Sequence, residues 1–598
     1  MRDFLKYTFA TLLGLLIFLG LSIGGLLALV IMVASRETGP TVKNKTVLTF
    51  DLAMTISDAR QAASTIGEAL SSDETETMTL RATLDAINHA TTDPRIVGLY
   101  IYSSAEGVGG AGFAPLKEIR AALHRFRASG KKIIAYDVNW REREYYLASV
   151  ADTVVINPIG ALELNGLSSE AMFFADALKK IGVGVQVTRV GKYKSAVEPF
   201  LLAKRSPENR QQTETLLTDL WSEFVTAASQ DRKLTVQQIQ SLSNNQGILM
   251  PQEALKNRLV DRIAYLDEVV ADLKQLTGED PGEKTFRQLG LKAYAGVAED
   301  AIGRDRRSGE KIAVVYAEGD IVNGQGSRRQ VGGDRLAKQL RQIRQDDEIK
   351  AVVLRVNSPG GSVSASEIIQ REVILTRKAK PLVVSMGTVA ASGGYWISTF
   401  SDRIFAEPNT ITGSIGVFGI LPNFQALANN NGITWDAVKT GRFADIYSLY
   451  RPKNSQELTL IQKTVNSYYD RFLTKVAESR KLPKTRVAEI AQGRVWSGRR
   501  AKELGLVDEL GGLEAAIQEA ARRASLGDRW QIEEYPKFRS LEERIFGKLV
   551  GDQISQSTAQ SDPLSLELAK LQKDLAVLKA MNDPLGAYAR LPFNLRID

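Results

Sequence analysis

An internal repeat is the feature that most constrains the fold of this 598-residue chain. Residues 346–357 align with residues 93–104, and the alignment continues at nearly the same spacing through single landmark residues. These landmarks are the pairs Tyr145 and Tyr395, Asp152 and Asp402, Pro158 and Pro408, Gly166 and Gly416, and Asp261 and Asp508. Because a chain of this length is too long for one hydrophobic core, we expect two copies of one domain.

Each copy opens with a short apolar strand and continues as strands that alternate with amphipathic helices. Residues 46–50 and 312–316 are the opening strands, and residues 115–127 show apolar residues at helical spacing. This alternation is typical of βα units. We therefore predict an α/β fold, with a mainly parallel sheet in each copy.

The predicted domain boundaries follow from changes in composition along the chain. They are an anchor segment at 1–40, a first repeat at 41–280, a polar linker at 281–310, a second repeat at 311–535 and a tail at 536–598. Within the tail, residues 564–581 carry leucines and alanines at helical spacing. That pattern predicts a packing or oligomer helix.

Composition excludes several kinds of site. The chain has no cysteine, which removes disulfides, thiolate metal ligands and cysteine nucleophiles. Its two histidines, His89 and His124, lie in charged, helix-like sequence that lacks the flanking pattern of a catalytic or zinc-binding histidine. We therefore expect no metal, no cofactor and a catalytic base other than histidine. The net charge of +8 is not gathered into a basic stripe, so nucleic acid is not an expected partner.

The amino end predicts a transmembrane helix. No charged residue occurs between Lys6 and Arg36, and residues 12–33 are rich in Leu, Ile, Gly and Val. Such a stretch is long enough to span a bilayer. A removable signal peptide is the alternative, but its apolar core would be shorter and would end in a small-x-small cleavage site. Basic residues lie on both sides of the stretch, so charge does not set its orientation.

A strand–turn–helix pattern over residues 381–395 contains a candidate nucleophile. Residues 382–384 are typical of a buried strand, small residues follow, and a helical pattern begins just after Ser392. A serine at this junction presents its hydroxyl at the sheet edge, beside the free N–H groups of the first helical turn. The same residues also suit a plain glycine-rich turn in an α/β domain.

Two further turns are expected near this serine. The strand at 352–356 runs into a Pro-Gly-Gly turn that ends at Gly361, where glycine permits close approach of a backbone N–H to a ligand. Another turn, at 412–416, contains Ser414. We expect the N–H groups of Gly361 and Gly393 to stabilise an oxyanion. Ser414 either accepts a hydrogen bond from a lysine or caps its own turn.

The two copies differ at the positions that would carry chemistry. Ser392 aligns with Glu142, so the first copy lacks a nucleophile, whereas Lys194 of the first copy aligns with Ala444. This pattern is expected when one active site is divided between two copies. A lysine base must be neutral, and burial lowers its pKa from about 10.4 by disfavouring the charged form. The alternative is that Lys192 and Lys194 are surface residues of a loop.

Four motifs together resemble the signal peptide peptidase A family in its long, two-repeat form. They are NSPGG, AASGGYWIS and TGSIGVFG in the second copy, and GKYKSAVEPF in the first. The resemblance implies the fold of the caseinolytic protease and crotonase superfamily. It also implies a Ser-Lys dyad, with Ser392 as nucleophile and Lys194 as general base. Lys192 is the reserve candidate, although its counterpart, Arg442, is also basic.

The resemblance further implies partners and a location. Peptides, including cleaved signal peptides, are the expected substrates, and a homotetramer is the expected assembly. The catalytic region is expected on the non-cytoplasmic side of a plasma, inner or other internal bacterial membrane. Two alternatives remain open. An acyl-CoA enzyme of the crotonase type shares the fold and its oxyanion turn, and an inactive membrane scaffold would need no dyad.

Overall fold

The computed structural model describes residues 2–34, 41–60, 77–104, 111–305, 310–527, 529–537 and 587–591. In the first half the strands are β1 Thr46–Asp51, β2 Thr55–Ser57, β3 Thr77–Thr79, β4 Ile96–Tyr102, β5 Lys132–Asp137, β6 Thr153–Ile156, β7 Leu162–Glu163, β8 Gly184–Val190, β9 Ile248–Leu249, β10 Arg262–Ile263 and β11 Gln288–Gly290. The helices are α1 Arg2–Ala34, α2 Leu80–Thr92, α3 Phe113–Ala128, α4 Glu142–Ala148, α5 Ala175–Lys180, α6 Pro207–Arg232, α7 Val236–Asn245, α8 Pro251–Lys256, α9 Leu266–Thr277 and α10 Leu291–Asp305, with a 3-10 helix at Ser195–Phe200.

The second half repeats this alternation of strands and helices. Its strands are β12 Glu310–Glu318, β13 Asp320–Val322, β14 Gln330–Gly332, β15 Ile349–Ser358, β16 Gly360–Ser362, β17 Leu382–Ala391, β18 Arg403–Ala406, β19 Ile411–Gly413, β20 Val417–Asn423, β21 Val495–Ser497, β22 Glu509–Leu510, β23 Trp530–Tyr535 and β24 Ala587–Arg590. Its helices are α11 Gly333–Gln345, α12 Val363–Ala379, α13 Gly393–Ser398, α14 Gln425–Asn429, α15 Ser455–Arg480, α16 Lys484–Ile490, α17 Gly498–Glu503 and α18 Leu513–Arg523.

The two halves build parallel sheets with the same strand order. The first sheet runs β10-β6-β5-β4-β1-β11, and every neighbouring pair in it is parallel. The second sheet contains β22-β18-β17-β15-β12-β23 in the corresponding order, again all parallel. Apolar side chains of these strands, such as Leu48 and Val353, are fully buried. The prediction of an α/β fold with two tandem repeats is confirmed.

The landmark residues of the sequence make equivalent contacts in the two repeats. The Tyr145 hydroxyl donates to the Leu259 carbonyl at 2.7 Å, and the Tyr395 hydroxyl donates to the Leu506 carbonyl at 2.8 Å. Burying a phenol requires a partner for its hydroxyl, and a backbone carbonyl supplies it in both copies. These shared contacts explain why the two tyrosines align in the sequence.

A third sheet joins the repeats. Its order is β14-β13-β16-β24-β20-β8, so a strand of the first repeat, β8, lies at the edge of a sheet built from the second. β8 and β20 run antiparallel over their full lengths, from Gly184 opposite Asn423 to Val190 opposite Val417. The segment that follows β8 therefore begins next to the second repeat.

A buried ion cluster also links the repeats. Arg355 of β15 is fully buried, and its guanidinium contacts Asp58 at 2.8 Å and Glu118 at 2.9 Å, both from the first repeat. The Ser385 hydroxyl accepts a further hydrogen bond from Arg355 at 2.8 Å. The cation comes from the second repeat and both carboxyl groups come from the first, so the buried ionisable groups of each repeat find their partners in the other.

Residues 288–305, the larger part of the linker predicted at 281–310, pack on the first repeat, so the linker prediction is wrong for them. They contain β11, which pairs in parallel with β1, and α10, whose Leu291 and Tyr294 are buried. In the tail, the helix predicted over 564–581 lies outside the described residues, and Ala587–Arg590 forms strand β24.

The predicted anchor corresponds to helix α1. The side chains of residues 22–34 in this helix lie outside those that the structure describes. Within the described residues, no helix is found that combines the length and the apolar character needed to cross a membrane.

Candidate active site

Ser392 lies at the junction of β17 and α13, as the sequence predicts. It is the residue before the first turn of α13, and its backbone has φ 57° and ψ −112°. Few residues with a side chain adopt such a positive φ, and observed strain of this kind is concentrated at functional sites. The Ser392 N–H donates to the Gly413 carbonyl at 2.8 Å, which fixes the junction against β19.

Lys194 reaches Ser392 from the other repeat. It follows β8 and precedes the 3-10 helix at Ser195–Phe200. Its Nζ lies 2.7 Å from the Ser392 Oγ, 2.9 Å from the Ser414 carbonyl oxygen and 3.0 Å from the Ser414 Oγ. All three residues are completely buried. The structure thus brings together the predicted nucleophile, the predicted base and the predicted supporting serine.

Burial controls the protonation of Lys194. Loss of water around the amine lowers the pKa of Lys194 well below its usual value, because the charged ammonium is disfavoured in a buried site. A neutral amine has a free lone pair. At 2.7 Å this lone pair is within hydrogen-bonding distance of the Ser392 hydroxyl, which is the geometry that a general base requires.

Contacts from distant parts of the chain hold the loop that carries Lys194. The Gln212 side-chain amide donates to the Tyr193 carbonyl at 3.0 Å and to the Ser195 hydroxyl at 2.9 Å. Gly493 packs directly on the lysine, since a Cβ added to it would lie 2.6 Å from the Lys194 Cβ. Sequence reasoning missed both residues. Neither belongs to a local motif. Nothing in the sequence around Gln212 or Gly493 indicates that it contacts the loop of Lys194.

Of the two glycines predicted to stabilise an oxyanion, one is adjacent to Ser392 and the other lies on a strand that approaches the start of α13. Gly393 directly follows the serine and begins α13, so its N–H belongs to the free first turn of that helix. Gly361 lies on β16, next to Gly360. A Cβ added to Gly360 would be 2.6 Å from the Gly393 nitrogen, which shows how closely the glycine strand approaches the start of α13.

The remaining basic candidates lie away from the dyad. Lys192 is exposed, with its Nζ 5.2 Å from the centre of the Tyr193 ring. His89 stacks on Tyr294, and the His124 Nε2 lies 3.3 Å from the Asp231 carboxylate. Across the described ranges, no group of three or more His, Asp or Glu side chains is arranged to hold a metal ion.

The positions in the other repeat that correspond to the dyad carry no such pair. Glu142, which aligns with Ser392, begins α4, and its carboxylate accepts hydrogen bonds from the N–H groups of Asn165 and Gly166. Ala444, which aligns with Lys194, is exposed in the loop between α14 and α15. Within the described residues, the two repeats therefore form a single serine–lysine pair.

Comparisons with known proteins match both repeats. The family model for peptidase family S49 matches residues 125–279 and again residues 374–527, and the model for Clp protease matches residues 303–410. The matched segments fall on equivalent parts of the two parallel sheets. This agrees with the shared strand order and supports a Clp protease-like α/β fold.

Curated relatives match most of the chain. Protease 4 of Salmonella typhi is 35% identical over 87% of this chain and 84% of its own length. Protease 4 of Haemophilus influenzae is 36% identical over 84% of this chain and 83% of its own. The chloroplastic serine protease SPPA of Arabidopsis thaliana is 32% identical over 73% of this chain and 64% of its own. The chain thus belongs to peptidase family S49, as a two-repeat serine peptidase of the protease IV type.

Proposed function

We propose that this peptidase works through a Ser-Lys dyad divided between its repeats, with Ser392 as nucleophile and Lys194 as general base. One observation carries the proposal. The Lys194 Nζ lies 2.7 Å from the Ser392 Oγ in a fully buried site, although the two residues belong to different repeats. Burial of an ionisable amine against a serine hydroxyl is an arrangement that occurs at catalytic sites more than elsewhere, which supports a catalytic role for the pair.

The arrangement supports a complete cycle of acyl transfer. The Lys194 amine takes the proton of Ser392 as Oγ attacks the peptide carbonyl carbon. The ammonium that forms donates to the Ser414 carbonyl and hydroxyl, which hold it in place. Negative charge on the former carbonyl oxygen is stabilised by the N–H groups of Gly361 and Gly393. Lys194 then protonates the leaving amine, and a water molecule, activated in the same way, hydrolyses the acyl-enzyme.

We also propose where the peptidase acts and on what. The uncharged stretch at 12–33 supports a retained membrane anchor, and the resemblance in motifs supports a catalytic region outside the cytoplasm and a tetrameric assembly. Apolar peptides in or near the membrane, such as cleaved signal peptides, are the matching substrates. Release of the full-length chain from membranes by alkaline carbonate would contradict the anchor, and a monomeric mass by light scattering would contradict the tetramer.

The dyad is tested with three single variants. Ser392→Ala should abolish both peptide cleavage and labelling by a fluorophosphonate probe, because the attacking oxygen is absent. Lys194→Ala should lower kcat by roughly 10³-fold or more, since no other base among the described residues contacts the Ser392 Oγ. Lys192→Ala is the matched control, because this lysine is exposed, and its kcat should stay near that of the wild type.

Two results would contradict the divided dyad. The first is retention of labelling at Ser392 together with full cleavage in Lys194→Ala. The second is a larger loss in Lys192→Ala than in Lys194→Ala, which would move the base to the neighbouring lysine. Circular dichroism of each variant checks that the fold is unchanged.

A further inference from the structure

Helix α6 of the first repeat lies against strand β21 of the second. Gln212, Leu216 and Asp219 follow one another at about one turn, so they share one face of this helix. Leu216 belongs to the same apolar cluster as Val495, and the Asp219 carboxylate accepts a hydrogen bond from the Ser497 hydroxyl at 2.7 Å. Gln212 is 1% exposed. This face of α6 therefore connects the two repeats.

The side-chain amide of Gln212 contacts the chain on both sides of the base lysine. Its NH₂ group donates to the Tyr193 carbonyl at 3.0 Å and to the Ser195 hydroxyl at 2.9 Å, and these two residues directly precede and follow Lys194. The oxygen of the same amide accepts the Val495 N–H at 3.3 Å. One buried side chain thus ties both neighbours of Lys194 to the backbone of the second repeat.

A buried carboxylate sets the orientation of this amide. Glu198 is 1% exposed, and it accepts hydrogen bonds from the Ser206 hydroxyl at 2.6 Å and from the Asn209 side-chain NH₂ at 2.9 Å. Because a carboxylate only accepts, the oxygen of the Asn209 amide is left facing the other way, 3.4 Å from the Gln212 NH₂. The Gln212 NH₂ therefore faces two acceptors, the Asn209 oxygen and the Tyr193 carbonyl.

The start of α6 stabilises the Glu198 carboxylate. The carboxylate accepts the backbone N–H of Ser206, the N-cap residue of this 26-residue helix, at 3.1 Å. The partial positive charge of a helix N-terminus favours an anion at this position. Among the described residues no Lys or Arg forms an ion pair with Glu198, so neutral donors and the helix end compensate its charge. A fixed acceptor thus lies at one end of a chain of hydrogen bonds, and the loop of Lys194 lies at the other.

Resting on the proposed dyad, we infer that Glu198, Asn209 and Gln212 form a positioning relay for the base lysine. The relay contacts the neighbours of Lys194 and not the reacting atoms, so these three are positioning residues. It holds the Lys194 Nζ at hydrogen-bonding distance from the Ser392 Oγ, where a displacement of about 1 Å is costly. It also keeps the loop closed, so that water does not reach the amine and favour its charged form.

The full-length variant Gln212→Met tests the relay, since methionine keeps the length of the side chain but makes none of its hydrogen bonds. We expect kcat for a short fluorogenic peptide to fall by about 10²-fold with KM nearly unchanged. The midpoint of the rise of kcat/KM with pH should also move to higher pH. The Tyr193 carbonyl and the Val495 N–H lose their partner and admit water, which raises the pKa of the Lys194 amine. A general loss of stability would lower activity without moving this midpoint.

Two further variants make the test independent of the folding of Gln212→Met. Gln212→Glu keeps the size of the side chain and the acceptor for Val495 but has no NH₂ group for Tyr193. It should show a similar loss of kcat and a larger upward shift of the midpoint, because a carboxylate favours the ammonium. Gln211→Met is the matched control. Gln211 is exposed and contacts the same tyrosine at its ring hydroxyl, at 3.1 Å, so kcat and the midpoint should stay near wild type.

A double variant tests whether the three residues act in series. Glu198→Gln can no longer accept from all its donors and should lower kcat less than Gln212→Met does. Glu198→Gln combined with Gln212→Met should lose no more than Gln212→Met alone, since both changes interrupt one chain of hydrogen bonds. Wild-type kcat and midpoint in both Gln212 variants, or fully additive losses in the double variant, would overturn the relay and leave the dyad intact. Full activity of Lys194→Ala would overturn both.

Discussion

At the scale of single residues, the proposed mechanism requires a neutral amine at Lys194. Burial lowers the pKa of Lys194, and the only polar groups that meet its Nζ at hydrogen-bonding distance in the described structure are the Ser392 hydroxyl and the carbonyl and hydroxyl of Ser414. None of these carries a negative charge that would favour the ammonium. The site therefore disfavours the ammonium form of Lys194, and it also provides acceptors for the proton that the proposed mechanism transfers to this amine.

This protonation state sets the pH dependence of activity. Below the lowered pKa of Lys194 the amine is protonated and cannot accept the Ser392 proton, so kcat/KM should rise with pH through that pKa. The midpoint should lie well below about 10.4, the value of a free lysine. Peptide cleavage measured from pH 5 to 10 reports it. Lys192→Ala should leave the midpoint in place, and a flat profile would argue against a lysine base.

Arg355 carries a second prediction at the residue scale. Arg355→Met keeps most of the side-chain volume but leaves the buried carboxylates of Asp58 and Glu118 without their cation. We expect the free energy of unfolding to fall by about 3–5 kcal/mol. Arg125→Met is the control. It removes another ion pair between the repeats, to Glu514, in which both side chains are about half exposed, and should cost at most about 1 kcal/mol. Denaturant midpoints compare the two, and equal losses would contradict a special role for burial.

At the scale of elements, the turn around Gly493 sets the position of Lys194. Gly493 has φ +75°, and a Cβ there would lie within 3 Å of the Lys194 backbone and Cβ. Gly493→Ala should therefore displace the lysine and lower kcat by about 10²-fold or more, since small misplacements of a catalytic group are costly. Gly505 is the control position. It has a similar φ of +77°, but a Cβ added there would lie 3.7 Å from its nearest neighbour, which is an ordinary contact distance.

Gly505→Ala thus imposes the same backbone strain without crowding the site. It should lower stability slightly and leave kcat unchanged. Similar losses of kcat in Gly493→Ala and Gly505→Ala would show that backbone strain, and not contact with Lys194, is responsible.

The contrast between Ser392 and Gly493 shows how much of this site the sequence could predict. The junction of β17 and α13 is encoded locally, by an apolar run, small residues and a helical pattern, so Ser392 could be located without a structure. The repeat alignment likewise identified Lys194 as a candidate, because the aligned residue, Ala444, has no ionisable side chain. Gly493 and Gln212 act through contacts across long stretches of chain, which periodicity does not record. Residues 288–305 were misassigned for a similar reason, because β11 and α10 owe their stability to packing on distant elements.

At the scale of the whole molecule, the dyad is complete within one chain. Lys194 and Ser392 belong to the same polypeptide. The antiparallel pairing of β8 with β20 places the segment with Lys194 beside the second repeat, where its Nζ contacts Ser392. Full-length Lys194→Ala mixed with full-length Ser392→Ala should therefore recover no cleavage, even after joint refolding. Each variant mixed with wild type is the control and should show activity in proportion to the wild-type chain present. Recovery from the two inactive variants would mean that the repeats exchange between chains.

In the part of the chain that the structure describes, two repeats with one strand order thus share a single serine–lysine pair. The first sheet keeps a junction equivalent to that of Ser392 but places Glu142 there, and the second keeps a loop equivalent to that of Lys194 but places Ala444 there. The two halves are therefore functionally interdependent on the proposed mechanism, since each supplies one member of the dyad. On the proposed mechanism, removal of either half, or substitution of either dyad residue, should abolish the activity of the whole chain. An active-site titration should accordingly count one reactive serine per polypeptide.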